Sequence, residues 1–153
     1  MKKITAIALL GISLILSSCG SNSVTGNING MWSATLSNST LANMFIFSTN
    51  LTVNADGSLG STSFSFTLNN TPCTFPSTTE TGSFTLSGNF NGQVKGSFHY
   101  VIMSTGVEVN TLTLDGTVSG GVITGTWKVS GATANCTGNG TFTMNPVLVP
   151  AQH

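Results

Sequence analysis

The chain has 153 residues, of which 39% are hydrophobic and only 5% charged, with no formal net charge. Its basic side chains are Lys2, Lys3, Lys95 and Lys128, with no arginine, so no basic patch can displace counterions from a phosphate backbone and nucleic-acid binding is excluded. Low charge with abundant Ser, Thr, Asn and Gly also describes disordered stalks, but those lack the large apolar side chains that recur along this whole chain.

At the N-terminus, Lys2 and Lys3 precede an uncharged apolar run, Ile4 to Leu16, interrupted only by Thr5, Gly11 and Ser13. That order of regions is a signal-peptide pattern over residues 1–18. The run falls short of the roughly 20 apolar residues of a spanning helix, which speaks against an uncleaved anchor; an ordinary secretory signal with an incidental cysteine is the other alternative. Leu16-Ser17-Ser18-Cys19 resembles the bacterial lipobox. The resemblance implies that Cys19 is acylated, as with palmitate, and becomes the first residue of a mature lipoprotein held at a membrane. Two or more acyl chains hold a protein stably where one does not. In Gram-negative lipoproteins, Gly20 rather than Asp after the cysteine implies sorting to the outer membrane. Residues 19–29 are small and polar and read as a flexible tether.

About 135 residues then remain, enough for one domain with a core. Lys95 and Lys128 face Asp56, Glu80, Glu108 and Asp115, two cations against four acids, a formal charge of −2. With Cys19 assigned to lipid, Cys73 and Cys136 are left as a pair, expected to form a disulfide in an oxidising compartment. The rival is a metal or redox site, but zinc wants further Cys or His at suitable spacing, and the histidines are only His99 and the terminal His153. No metal and no cofactor is expected.

From Gly30 onward apolar residues alternate with period two, and Thr and β-branched residues dominate. Eight strands are predicted, at 31–37, 43–54, 59–68, 82–89, 93–103, 108–118, 122–130 and 138–145, with residues 30–146 as the domain and 147–153 as a tail. Short turn signals such as Asn54-Ala55-Asp56-Gly57, Asn91-Gly92 and Ser119-Gly120-Gly121 separate them and imply antiparallel neighbours. In the hairpin around Asn91-Gly92, the pattern pairs Phe90 with Val94, Gly88 with Gly96, Leu86 with Phe98 and Phe84 with Tyr100. In the next, it pairs Val118 with Ile123, Gly116 with Gly125, Leu114 with Trp127 and Leu112 with Val129. Matched glycines on an inward face point to a sheet bent to close on itself, with close approach of a ligand as the alternative. The expected fold is all-β, an antiparallel up-and-down barrel of about eight strands, which leaves no exposed edge; a two-sheet sandwich is the second choice.

Gly30-Met31-Trp32, opening the first strand, resembles the Gly-x-Trp start of lipocalins and the Gly-Thr-Trp opening of avidin-like barrels. The resemblance implies an eight-stranded barrel with the tryptophan plugging one end. Two departures restrict it to architecture: no arginine is present to pack over Trp32, and Trp32 and Trp127 are the only tryptophans, so a Trp-rich biotin pocket is missing.

Chemistry is sparse. A glycosidase needs two carboxylates flanking the bond it cleaves, whereas the four acids are scattered: Asp56 in a turn, Glu80 in the loop 69–81, and Asp115 on an outer face, diagonal to Lys128. His99 alternates away from Phe98 and Tyr100 toward solvent, and a serine triad requires it to meet a carboxylate in a cleft. The expectation is therefore noncatalytic binding. One form is a hollow barrel taking a small apolar or amphipathic ligand among Trp32, Phe84, Phe98, Tyr100 and Trp127. The alternative is a solid barrel acting as a structural, inhibitory or interaction module toward an envelope protein, with the loop carrying Pro72, Cys73, Pro76 and Glu80 as its contact element. Phe45-Ile46-Phe47 places apolar side chains on both faces of one strand, either under a neighbouring loop or in a partner-facing patch.

Overall fold

The computed structural model describes residues 28–90 and 93–148. The signal peptide, Cys19, tether residues 19–27 and tail residues 149–153 lie outside the described residues. Period-two alternation governs what is described: in β1 (Gly30–Ser37) and β2 (Phe45–Val53) every second side chain is buried, because successive residues of a strand point to opposite faces. They are followed by β3 (Ser58–Asn69), β4 (Thr78–Phe90), β5 (Gln93–Ser104), β6 (Asn110–Ser119), β7 (Val122–Gly131) and β8 (Thr137–Pro146). Each pairs antiparallel with its chain neighbours, and β8 pairs with β1 to close an eight-stranded up-and-down barrel.

Two corrections to the expected elements matter. Strand β4 begins at Thr78 rather than 82, because Thr78 to Thr81 pair with Ser104 to Val101 of β5; Glu80 therefore sits in a strand and not in a loop. Ile28 and Asn29 belong to the barrel rather than to a tether: Ile28 is buried, and the Asn29 side-chain oxygen accepts the Val53 N–H at 2.7 Å.

The β6–β7 hairpin has the register that its alternation dictates, including Gly116 opposite Gly125 and Leu114 opposite Trp127. In the β4–β5 hairpin the register differs by two: Phe84 faces Phe98, Gly82 faces Tyr100 and Leu86 faces Gly96. Phe90 pairs with Gln93, and the register shifts by one residue between Leu86 and Gly88. A shift of one inverts the row a residue belongs to, so between the bulge and the turn Gly88 and Phe90 stand opposite Lys95 and Gln93 instead of Gly96 and Val94; Leu86 is 46% exposed, and Phe84 keeps the buried position expected of it.

At one end, where the chain enters at residue 28, Trp32 is buried and its indole N–H donates to the Ile28 carbonyl at 2.7 Å. At the other end gather the connections 38–44, 70–77, 105–109 and 132–136. There Cys73 and Cys136, both buried, form a disulfide across 63 positions of sequence. Buried Asn110 ties the same two loops, donating from Nδ2 to the Thr74 carbonyl and the Thr133 hydroxyl, each at 2.7 Å.

The interior is aromatic and aliphatic. Phe45 meets Trp127 edge-on with ring centroids 5.5 Å apart, and Phe98 lies 5.9 Å from Tyr100 and 6.3 Å from Phe142. The inward glycines receive these rings. A Cβ on Gly96 would come within 2.5 Å of the Phe84 ring, and one on Gly116 within 2.9 Å of the Phe142 ring. Close approach, the alternative to bending, is thus made by the protein's own side chains at both positions. Phe45 and Phe47 are fully buried, while Ile46 between them is only partly covered on the outer side.

Candidate functional site

The wall of the barrel is uneven. Strands β3 and β4 share only two ladder positions, Ser58 opposite Ser83 and Leu59 opposite Gly82, together with a bond from the Phe84 N–H to the Gly57 carbonyl at 2.8 Å. From Gly60 onward β3 has no ladder partner on that side.

The cause lies in β3 itself. Against β2 its register slips twice: Leu51 faces Ser61 but Thr49 faces Phe64, and Phe47 faces Phe66 but Ile46 faces Leu68. Each slip inserts one extra residue into β3. Such bulges bend and twist a strand, and they recur beside functional sites, where they end pairing and re-aim side chains. Two within nine residues lead β3 away from β4 toward the loop end of the barrel.

The gap is an aromatic cleft of about 340 Å³ lined by Phe64, Ser65, Phe66, Phe75, Pro76, Ser77 and Thr78. Phe64 and Phe66 lie 4.9 Å apart edge to face, and Phe66 lies 5.1 Å from Phe75. Phe45 and Phe47 back them from the core, at 5.8 Å from Phe66 and 5.0 Å from Phe64. The loop that carries Phe75 is held: the Asn69 side chain accepts the Thr71 N–H at 3.0 Å and donates to the Cys73 carbonyl at 2.7 Å, an Asx-type turn, and the disulfide follows at once. The opposite rim is polar. Thr78 and Glu80 pair with inward-facing Ser104 and Ile102, so both side chains turn toward the cleft side of β4, where the Thr78 hydroxyl donates to Glu80 Oε1.

Behind the seam, buried hydroxyls of Thr49 and Tyr100 meet at 3.1 Å, and Ser61 extends the chain at 3.0 Å from Thr49. Burial pushes the Tyr100 phenol above its ordinary value of 10.0; hydrogen bonds from Thr49 and Ser61 oppose this and the Glu80 charge adds to it. A folded value above the unfolded one means that stability is intact below about pH 10 and is lost as pH rises through the folded value. Tyr100 is the only tyrosine, so ultraviolet titration of the phenolate reads this site alone. Its midpoint is expected above the ordinary value, with stability falling in the same window and Tyr100→Phe removing both effects; a midpoint at the ordinary value would mean that the phenol is solvated.

The five side chains expected to line an interior pocket, Trp32, Phe84, Phe98, Tyr100 and Trp127, are all buried, and none of them lines the cleft. Sequence reasoning missed Phe64, Phe66 and Phe75. The available signal was the Ser63-Phe64-Ser65-Phe66 run, which read as ordinary strand alternation.

Ser83, His99 and Asp115 stand in one row across β4, β5 and β6, and His99 Nδ1 lies 2.6 Å from Asp115 Oδ1. Asp115 therefore partners His99; Lys128 lies opposite Thr113, diagonal to it as expected. The row is on the outer face, with these two side chains 47% and 65% exposed. β5 is paired on both sides, with β4 and with β6. Among the described residues no three His, Cys, Asp or Glu side chains gather as a metal site. The chain matches no family model, no curated protein and no solved structure.

Proposed function

We propose that this chain is a lipid-anchored extracytoplasmic binding protein, held at the outer membrane through acylated Cys19, which takes a small apolar or amphipathic ligand in the cleft between β3 and β4. The observation that carries the reading is the double bulge in β3, which leaves three phenylalanines at a lateral opening instead of sealing the wall. Ligand sites are concave, combine apolar walls with convergent polar groups, and begin at about 300 Å³; here Ser65, Ser77 and Thr78 stand beside the three rings.

Phenol titrated into the full chain in nonionic detergent is expected to shift the ring resonances of Phe64, Phe66 and Phe75, with affinity falling about five-fold or more in Phe66→Ala. Shifts concentrated on Phe84 and Phe98 would move the site to the barrel interior, and no shift anywhere would defeat the ligand reading. The anchor has its own test. Cys19→Ser is expected to abolish acyl labelling in the producing cell, and a variant still labelled at its N-terminus would overturn the lipid assignment.

The unpaired backbone of β3 beyond Gly60 favours one second reading, capture of an extended segment of an envelope protein by strand addition. Amide exchange separates the two: strand addition protects those amides of residues 61–68 that point away from β2, whereas a small ligand on the rings leaves them exchanging.

A further inference from the structure

Glu80 is the one carboxylate among the described residues that shares an inward-facing row of the barrel. Asp56 lies in the turn between β2 and β3, where it accepts Ser58 at 2.6 Å; Glu108 lies in the loop before β6 and accepts the Thr133 hydroxyl; Asp115 is on the outer face with His99. Glu80, by contrast, pairs with fully buried Ile102 and stands two residues from Gly82, which faces Tyr100. Its hydrogen-bond donor is the Thr78 hydroxyl, and among the described residues no cation forms an ion pair with it. A carboxylate has about four lone-pair sites. Here a single neutral hydroxyl serves it.

Thr78 lines the aromatic cleft, so the Glu80 carboxylate lies one hydrogen bond from the space bounded by Phe64, Phe66 and Phe75. Glu80 does not itself line the cleft; its carboxylate is bonded to a residue that does, and a carboxylate at the rim of a cleft with three rings in its wall draws an organic cation by Coulomb attraction while the rings attract the same charge through their quadrupoles. It rejects anions by the same two terms. We infer that the ligand of the cleft carries an organic ammonium group on an apolar body, the cation meeting Glu80 and the body lying on the three phenylalanines. This rests on the cleft being the binding site. The raised phenol value of Tyr100, to which the Glu80 charge contributes, agrees with a carboxylate held close to the inner wall.

The test is a titration of the full chain in nonionic detergent with three probes of one shape: phenethylammonium, phenethyl alcohol and phenylacetate, read on the rings of Phe64, Phe66 and Phe75. The ammonium is expected to bind about ten-fold or more tightly than the alcohol, and the carboxylate probe most weakly. Glu80→Gln keeps an oxygen for Thr78 and is expected to lower the affinity of the ammonium to about that of the alcohol; an unaltered near-ultraviolet spectrum of Tyr100 and the two tryptophans shows that the variant is folded. Equal binding of ammonium and alcohol to the unmodified chain would overturn the inference and leave the cleft standing as a neutral site. Absence of ring shifts with all three probes would overturn the cleft and the inference together.

Discussion

Reduction of the Cys73–Cys136 bridge is expected to lower the thermal midpoint of the barrel by roughly 15 °C. The bridge closes a loop across 63 positions, and on the chain-entropy view a loop of that length stabilises the fold by about 4 kcal/mol through the unfolded state. For a domain of this size each kcal/mol is worth roughly 3 to 5 °C, and total stability is commonly only about 5–15 kcal/mol. Calorimetry with and without reductant, or on Cys73→Ala/Cys136→Ala, measures it. The Asn110 bonds to Thr74 and Thr133 join the same loops without the sulfurs. A fall of less than about 3 °C would therefore show that Asn110 holds this end alone and that the entropic account fails here. A second consequence falls on the cleft: Phe75 lies two residues from Cys73, so reduction is expected to loosen one of its three rings before the barrel melts.

Gly140→Ala is expected to cost about 3 kcal/mol, combining overpacking with loss of a buried hydrogen bond. Gly140 lies under the joint that closes the barrel. Trp127 donates from Nε1 to the Ser37 carbonyl at 2.9 Å, and a Cβ at residue 140 would stand 1.9 Å from that same carbonyl oxygen and 2.8 Å from Nε1. The first neighbour is backbone of β1 paired with β8, and the second is an indole so close to β8 that a Cβ on Gly138 would also lie within 3.3 Å of it. Gly120→Ala is the control: its φ of +61° disfavours a side chain, but nothing lies within 4 Å, so about 1 kcal/mol is expected. Denaturant unfolding followed by tryptophan fluorescence compares them. If Gly140→Ala cost no more than Gly120→Ala, the β1–β8 joint would be compliant and Trp127 would not be its clasp.

The two hairpins show where reading from sequence succeeds. Around Ser119 to Val122 the turn signal and the alternation agree, and each expected pair from Val118–Ile123 to Leu112–Val129 is present. Around Asn91-Gly92 the same reasoning misplaces the pairs by one residue next to the turn, where Phe90 pairs with Gln93, and by two beyond it, because an extra residue between Leu86 and Gly88 is absorbed in the strand. A bulge has no composition of its own at that point; it exists only relative to the partner strand. Glu80 was assigned to a loop for a related reason. Thr78 to Thr81 carry no apolar alternation, and their extension is imposed by β5, which already presents Tyr100, Ile102 and Ser104.

The sequence by itself determined the alternation, the strand count and most of the inward set, because period-two patterning of apolar residues is local information; it favoured a barrel, which leaves no exposed edge, over a two-sheet sandwich, and the pairing of β8 with β1 decides for the barrel. It also left Cys73 and Cys136 as partners once Cys19 was set apart. Tertiary structure alone decided where the wall opens. Phe64 and Phe66 alternate like any core strand, and only the two register slips against β2 turn them to a lateral gap beside Phe75 and Glu80. Those slips depend on contacts between residues distant along the chain, so the lateral cleft in this closed barrel is written in its pairing and not in its pattern.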